Sequence, residues 1–165
     1  MLRLLLISDT HVPARAKDLP GEVWAAVDAA DVVVHAGDWV DAALLDQLEA
    51  RTDRLVGVFG NNDHGVLRER LPLVASVMLD GVRFAVVHET GAKDRRELRM
   101  QSAHPDTDVL VFGHSHIPWD TTAANGMRLL NPGSCTDRRR EPFRTYMTTS
   151  VDDGVLGPVE LHRIH

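Results

Sequence analysis

Apolar residues fall along the chain in short blocks, and each early block stops at a polar cluster. Leu2–Ser8, "LRLLLIS", is a near-continuous apolar run and predicts a strand buried on both faces. Asp31–His35, "DVVVH", is β-branched and predicts a second strand; Arg54–Phe59 predicts a third. Between the first two, Pro20-Gly21 opens a helix that runs through Ala30. Between the second and third, Asp41–Ala50 sets Ala42, Leu45 and Leu48 at helical spacing. The three strands lead into "SDTH", "HAGD" and "GNND". Strand alternating with helix predicts parallel pairing, with the site at the carboxyl ends of the strands.

The second half changes period. Leu73–Leu79 and Val82–Val87 flank Asp80-Gly81, a strong hairpin signal. Lys93–Ala103 reads as a charged helix and Asp108–Phe112 as a further strand. Asn125-Gly126 and Asp153-Gly154 mark two more hairpins. The expected fold is α/β: a four-layer αββα sandwich of two mixed β-sheets flanked by helices. No repeat, low-complexity segment or linker divides the chain, so residues 1–165 are expected to form a single domain.

Composition narrows the functions. At 165 residues, 44% apolar and 25% charged, the chain can build a full hydrophobic core. A net charge of −6 argues against broad binding of nucleic-acid backbones. No apolar run reaches the ~18 residues of a membrane span. "MLRLLLISD" meets Asp9 too soon for a signal peptide. The single cysteine, Cys135, allows no internal disulfide and fits a reducing cytosol, so a cytoplasmic location is expected. A homo-oligomer is compatible with the sequence. An acidic protein of this kind can hold a phosphate if metal ions supply local positive charge.

The candidate chemistry starts at "VFGHSHIP", Val111–Pro118, which delivers His114 and His116 one residue apart. In extended chain such residues face one side, ~6.6 Å apart at a rise of ~3.3 Å per residue. That spacing suits two imidazoles on one ion or on two neighbouring ions. Asp9-x-His11 repeats the step. The other polar groups at strand ends are Asp38, then Asn61, Asn62 and Asp63, then His88. Gly37, Gly60 and Gly113 adjoin them and permit tight turns. Mixed nitrogen and oxygen donors suit Mn²⁺, Fe, Zn²⁺, Co²⁺ or Ni²⁺ rather than Ca²⁺ or Mg²⁺.

Taken in order, "SDTH", "GD", "GNND", "GHSH" and "NPGS" resemble the calcineurin-like metallophosphoesterase superfamily. The likeness covers nearly the whole chain and is nearest to the small bacterial and archaeal phosphodiesterases, a branch that includes the scaffold subunit Vps29. The resemblance implies a dinuclear-metal enzyme acting on small phosphodiesters, with Mn²⁺ the favoured metal. One ion would be held by Asp9, His11, Asp38 and His116. The other would be held by Asp38, Asn61, His88 and His114, with Asp38 bridging. Two divalent ions less two carboxylates leave about +2, enough to hold a phosphate. A bridging water, deprotonated near neutral pH, would attack phosphorus in line. The alternative is a Vps29-like metal-binding scaffold with little turnover, which has no need of seven intact donors.

Two departures stand out. Many superfamily members carry His after the donor Asn, where it assists the leaving alkoxide. Asn62 stands there instead; it can bind substrate by hydrogen bonds but cannot act as an acid. In "VVHET", Glu89 occupies a position where the family often has Gly. "GDWVDAA" also lacks the Arg of the protein-phosphatase motif GDxVDRG. The remaining candidates read more plainly. His64 is expected at an exposed helix start, and His104, His162 and His165 in structural roles. His35 is expected to support the site or the core. Asp63 either caps a helix or orients a donor. Trp39 and Trp119 read as rim or core, and Cys135 as a small buried residue. Arg138, Arg139 and Arg140, with Arg144, form either a solvated face or a grip on the far part of a substrate.

Overall fold

The computed structural model describes residues 1–165. Its first sheet is built on β1 (Leu2–Ile7), β2 (Val32–His35) and β3 (Leu55–Gly57), paired in parallel in that order. β9 (Arg144–Asp152) lies antiparallel on the other side of β1. The free edge of β9 pairs with β10 (Val155–Leu156) and β11 (Glu160–Ile164). The second sheet runs β4 (Val74–Leu79), β5 (Val82–Val87), β6 (Val109–Val111), β8 (Arg128–Asn131) and β7 (Trp119–Thr122). Pairing is parallel for β5–β6–β8 and antiparallel at both hairpins. Both sheets are therefore mixed.

Strand alternation sorts the apolar residues into layers. Leu4, Leu6, Val32 and Val34 meet Phe84, Val86, Val109 and Val111 between the sheets. Leu5, Ile7 and Val33 point the other way, onto α1 (Gly21–Ala29), α2 (Ala42–Arg51) and α3 (Val66–Arg70). Ala85, Val87 and Leu110 face outward beneath α4 (Arg96–Ala103), which contributes Met100. The result is helix, sheet, sheet, helix, with the central strands buried on both faces. This explains why β1 and β2 read as near-continuous apolar runs. Removing the Phe84 ring from between the sheets would cost about 3–5 kcal/mol.

Local signals set several boundaries. Asp41 caps α2, its carboxylate accepting from Ala43 N–H at 2.8 Å. Asp80 (φ 44°) and Gly81 (φ 85°) both adopt the left-handed backbone that a tight hairpin requires. Asp153-Gly154 repeats it between β9 and β10, and the two tips touch: Gly154 N–H donates to the Asp80 carbonyl at 2.7 Å. The charged helix expected from Lys93 starts only at Arg96. α3 is a five-residue turn of helix whose N-cap is Gly65, not Asp63. No helix is long and apolar enough to cross a membrane.

Candidate metal centre

The loops leaving β1, β2, β3, β5 and β6 meet at one end of the sheets. Asp9, His11, Asp38, Asn61, His88, His114 and His116 all lie on them. Five of the seven, Asp9, His11, Asp38, His114 and His116, have φ between 45° and 73°. Non-glycine residues avoid this region, at a cost of order 1–3 kcal/mol each. Such strain persists only where the surroundings impose it, and it collects at functional sites.

The extended geometry expected for the two i, i+2 pairs is thereby corrected. Neither pair is strand. Their left-handed backbones turn His114 and His116 into different groups. His116 joins Asp9 and His11; His114 joins His88 and Glu89.

The first group is sealed, with Asp9, His11 and His116 only 0%, 7% and 1% exposed. Asp9 and His116 each have one side anchored and one atom turned inward, and His11 turns its Nε2 to the same point. Asp9 Oδ2 accepts from Ser8 Oγ–H at 2.8 Å and His114 N–H at 3.0 Å. His116 Nδ1–H donates to the Asp137 carbonyl at 2.6 Å. That bond fixes the tautomer and leaves Nε2 as a lone-pair donor. Asp9 Oδ1 and His116 Nε2 then face each other at 3.4 Å, with His11 Nε2 4.0 Å from the same oxygen. All three inward atoms are buried with no hydrogen-bond partner.

The second group is more open. His88 is buried, and its Nδ1–H donates to the Ala36 carbonyl at 2.7 Å. Its Nε2 faces Asn61 Oδ1 at 3.0 Å, Asp38 Oδ2 at 3.4 Å and Asp9 Oδ1 at 3.8 Å. A ring nitrogen among three oxygens needs a proton or a metal cation. His114 Nδ1 faces Asn61 Oδ1 at 3.1 Å and Glu89 Oε1 at 3.7 Å. Asp38 stands between the groups, its Oδ2 3.4 Å from both His11 Nε2 and His88 Nε2.

The charges are set by burial and by one another. Burial works to raise both carboxyls, but the neighbouring groups prevail. The close approach of His116 and the charge of His88 hold Asp9 below its ordinary value. The hydrogen bond and charge of His88, with donation from Asn62, hold Asp38 well below it. Burial likewise opposes charge on His88, yet Asp38 and Asp9 push it up to about 9. Two ionised carboxylates thus pull positive charge into the cluster, and in the protein alone His88 carries it.

The other candidates fall into place around this frame. Asn62 is exposed and clamps Asp38: its backbone N–H donates to Oδ1 at 2.9 Å and its side-chain amide to Oδ2 at 2.8 Å. Asp63 is fully buried and ties two loops, accepting from Asp38, Val40 and Gly60 N–H at 2.7–2.9 Å. His35 is buried and stacked on Trp39 at 3.6 Å between ring centres, and burial pushes it down to about 3. Its Nδ1 accepts from Gly37 N–H at 3.1 Å, which leaves Nε2–H to donate to Thr10 Oγ1 at 3.0 Å. Trp39 is core, and Trp119 packs under the Arg96 guanidinium. His64 is exposed, His162 stacks on Tyr146 and His165 meets Phe143 edge-on. Burial pushes the Cys135 thiol up to about 12, so it is no nucleophile. Arg138, Arg139 and Arg140 are exposed; Arg139 donates to the His114 carbonyl at 3.5 Å.

Several supporting residues lie within the sequence motifs without an assigned role there. Ser8 holds Asp9 Oδ2, and Ser134 Oγ–H donates to the Asp9 carbonyl at 2.8 Å. The Asn131 amide donates to the Gly113 carbonyl at 3.1 Å. The "NPGS" element therefore pins the first and fifth loops together. A cavity of about 410 Å³ opens beside the second group, lined by Asn61, His88 and Glu89 and by Phe59, Leu73 and Met100. A larger one, about 580 Å³, lies between α1 and β9 and holds none of the seven residues, so volume alone does not mark the site.

The likeness to known proteins runs through the same loops. The model of the calcineurin-like phosphoesterase superfamily domain matches residues 2–154. A Methanocaldococcus jannaschii protein named "probable metallophosphoesterase" is 34% identical over 159 residues, spanning 94% of this chain and 80% of the relative. A second protein of that organism, named a phosphodiesterase, is 24% identical over 147 residues, spanning 81% and 84%. Among solved structures, a Thermotoga maritima protein superposes with a TM-score of 0.78 at 34% identity, covering 99% of this chain and 100% of that one. Zinc-bound Vps29 from Entamoeba histolytica gives 0.79 at 22% identity, covering 99% and 98%, a likeness of fold. Because the match takes in every loop that brings the donors together, this chain belongs to the calcineurin-like phosphoesterase superfamily.

Proposed function

We propose that the cluster holds two divalent transition-metal ions and that the protein hydrolyses small phosphodiesters. Asp9, His11, Asp38 and His116 would hold one ion; Asp38, Asn61, His88 and His114 the other. Mn²⁺ is the favoured metal, with Fe, Zn²⁺, Co²⁺ or Ni²⁺ also suited to these donors. One observation carries the reading: Asp9 Oδ1, His11 Nε2 and His116 Nε2 are buried together without partners. Each such atom costs about 1–3 kcal/mol when left unsatisfied, and a shared cation satisfies all three at once.

Bound ions supply Lewis-acid polarisation of a phosphoryl oxygen and a nucleophile from water at neutral pH. The chain's own groups position and tune. Ala36 and Asp137 hold the rings of His88 and His116 by their carbonyls, so the inward nitrogens stay unprotonated when a cation takes the charge. Asp63 fixes the backbone of Asp38 and Gly60, and Asn62 holds the Asp38 carboxylate. Asn62 is also exposed to donate to a substrate oxygen, but it offers no acid proton to a leaving alkoxide. Nearby Arg139 is turned to the His114 carbonyl. A singly charged diester asks for less positive charge than a doubly charged monoester, which fits such a site.

The test is metal analysis after reconstitution with Mn²⁺, followed by a panel of mono- and diesters. Close to two ions per chain, and hydrolysis that chelation abolishes, is the expected result. Fewer than two ions after full reconstitution overturns it. A scaffold like Vps29 would bind metal and turn over no ester in the panel.

A further inference from the structure

We infer that Glu89 is an additional carboxylate donor to the second ion, a role that rests on the two-ion reading above. Glu89 directly follows His88 at the end of β5. Its Oε1 lies 3.7 Å from His114 Nδ1. One donor atom each from His88, Glu89 and His114 lies within 4.8 Å of the others. Two donors bound to one ion at ~2.0–2.2 Å stand at most ~4.4 Å apart. The trio already spans little more than one coordination sphere. His88 Nε2 and His114 Nδ1 meet a common oxygen as well, Asn61 Oδ1, at 3.0 and 3.1 Å.

The Glu89 side chain is 51% exposed and His114 is 49% exposed, so the carboxylate can swing inward without unpacking the core. No backbone or side-chain donor hydrogen-bonds it, which leaves both oxygens free to bind.

The consequence is for substrate class. Two divalent ions less Asp9, Asp38 and Glu89 leave about +1 rather than about +2. Attraction scales with the product of charges, so a doubly charged monoester loses more than a singly charged diester. Glu89 also takes one position on the second ion that a water or a phosphoryl oxygen would otherwise use. It forms part of the wall of the 410 Å³ cavity, which Phe59, Leu73 and Met100 also line and where Arg68 carries the opposite charge, so the cavity has room for an organic arm beside the second ion. The selected substrate is a singly charged diester rather than a doubly charged monoester.

The experiment titrates Mn²⁺ into the whole metal-free protein by calorimetry, for wild type, Glu89→Gln and Glu89→Asp. Two ions are expected to bind the wild type. Both variants are expected to weaken the second ion by about tenfold or more and leave the first unchanged. Glu89→Gln should also raise the ratio of monoester to diester kcat/KM. Second-ion affinity within about twofold of wild type in Glu89→Gln overturns the Glu89 role alone. Wild-type affinity in Glu89→Asp, with weakening only in Glu89→Gln, also overturns it, since charge rather than reach would then be acting. A wild type that binds fewer than two ions overturns the two-ion reading and this inference together.

Discussion

The two halves of the cluster use the same residue types in different surroundings. Asp9, His11 and His116 are sealed, and their inward atoms have no partner in the protein. In the other half only His88 is buried; Asn61, His114 and Glu89 face solvent. Burial makes unsatisfied donors expensive, so under the proposed function a cation in the sealed half would stabilise the fold as well as serve the chemistry. Solvent satisfies the open half, which can exchange donors, admit substrate and accept an unusual residue such as Glu89. Chemistry in common thus divides into a structural anchor and an adaptable face, and burial draws the line.

The largest effect should come from the residue that both halves share. Asp38 Oδ2 is 3.4 Å from a histidine of each. Asp38→Asn is expected to lower kcat by more than the ~10–100-fold typical of outer supporting groups and to reduce metal content in both positions. Activity near wild type with two ions retained would break the comparison at its centre.

Next in size are changes aimed at the sealed half. A methyl group on Gly113 would come within 2.6 Å of Asp9 Oδ2 and closer still to Ser8 Oγ, both of them buried. Gly113→Ala is expected to lower Tm and to abolish binding of the first ion, read by melting with and without Mn²⁺. His116→Ala should destabilise the Mn²⁺-loaded protein by about 1–3 kcal/mol more than His114→Ala, because it leaves the part-buried Asp137 carbonyl without its donor and removes a buried donor from the first ion, whereas His114 is half-exposed. Equal losses would mean that burial does not separate the halves.

The last effect is confined to acid and vanishes at neutral pH. His35, packed against Thr10 of the first loop, has its folded value depressed from the ordinary 6.5 to about 3. Below pH 6.5 the unfolded chain takes up a proton that the folded protein refuses. Stability is therefore fully present above 6.5 and lost as pH falls toward about 3, at up to about 1.4 kcal/mol per pH unit. Chemical denaturation of His35→Gln between pH 4 and 7 should show a shallower loss than wild type. Parallel curves would remove His35 from the acid response of the sealed half.

Much of the fold was legible before any coordinates. The Leu2–Ser8 and Asp31–His35 blocks became β1 and β2, and Asp80-Gly81 and Asp153-Gly154 turned hairpins. These signals are local: a run buried on both faces has to be apolar, and a two-residue turn needs left-handed backbone. The five-residue α3 and the late start of α4 at Arg96 were less legible, because short charged segments carry little periodicity. At the site, the seven donor residues could be gathered from strand ends. The roles of Ser8 and Ser134, and of the Ala36 and Asp137 carbonyls, could not, because a hydroxyl or a backbone carbonyl shows its partner only in the folded chain.

By itself, the sequence determined which residues would end the strands, which types of donor they would bring, and that the sheets would be covered on both sides. Only the tertiary structure decided which of those donors are sealed and which are open. His114 and His116 look equivalent in "GHSH", yet one is sealed with Asp9 and the other is open beside Glu89. Their separation comes from left-handed backbone at both positions and from contacts far apart in the chain. The His114 N–H that holds Asp9 Oδ2 lies 105 residues from it. Local pattern reports what a residue does to its neighbours in sequence. Burial, ring orientation and strain are set by neighbours in space.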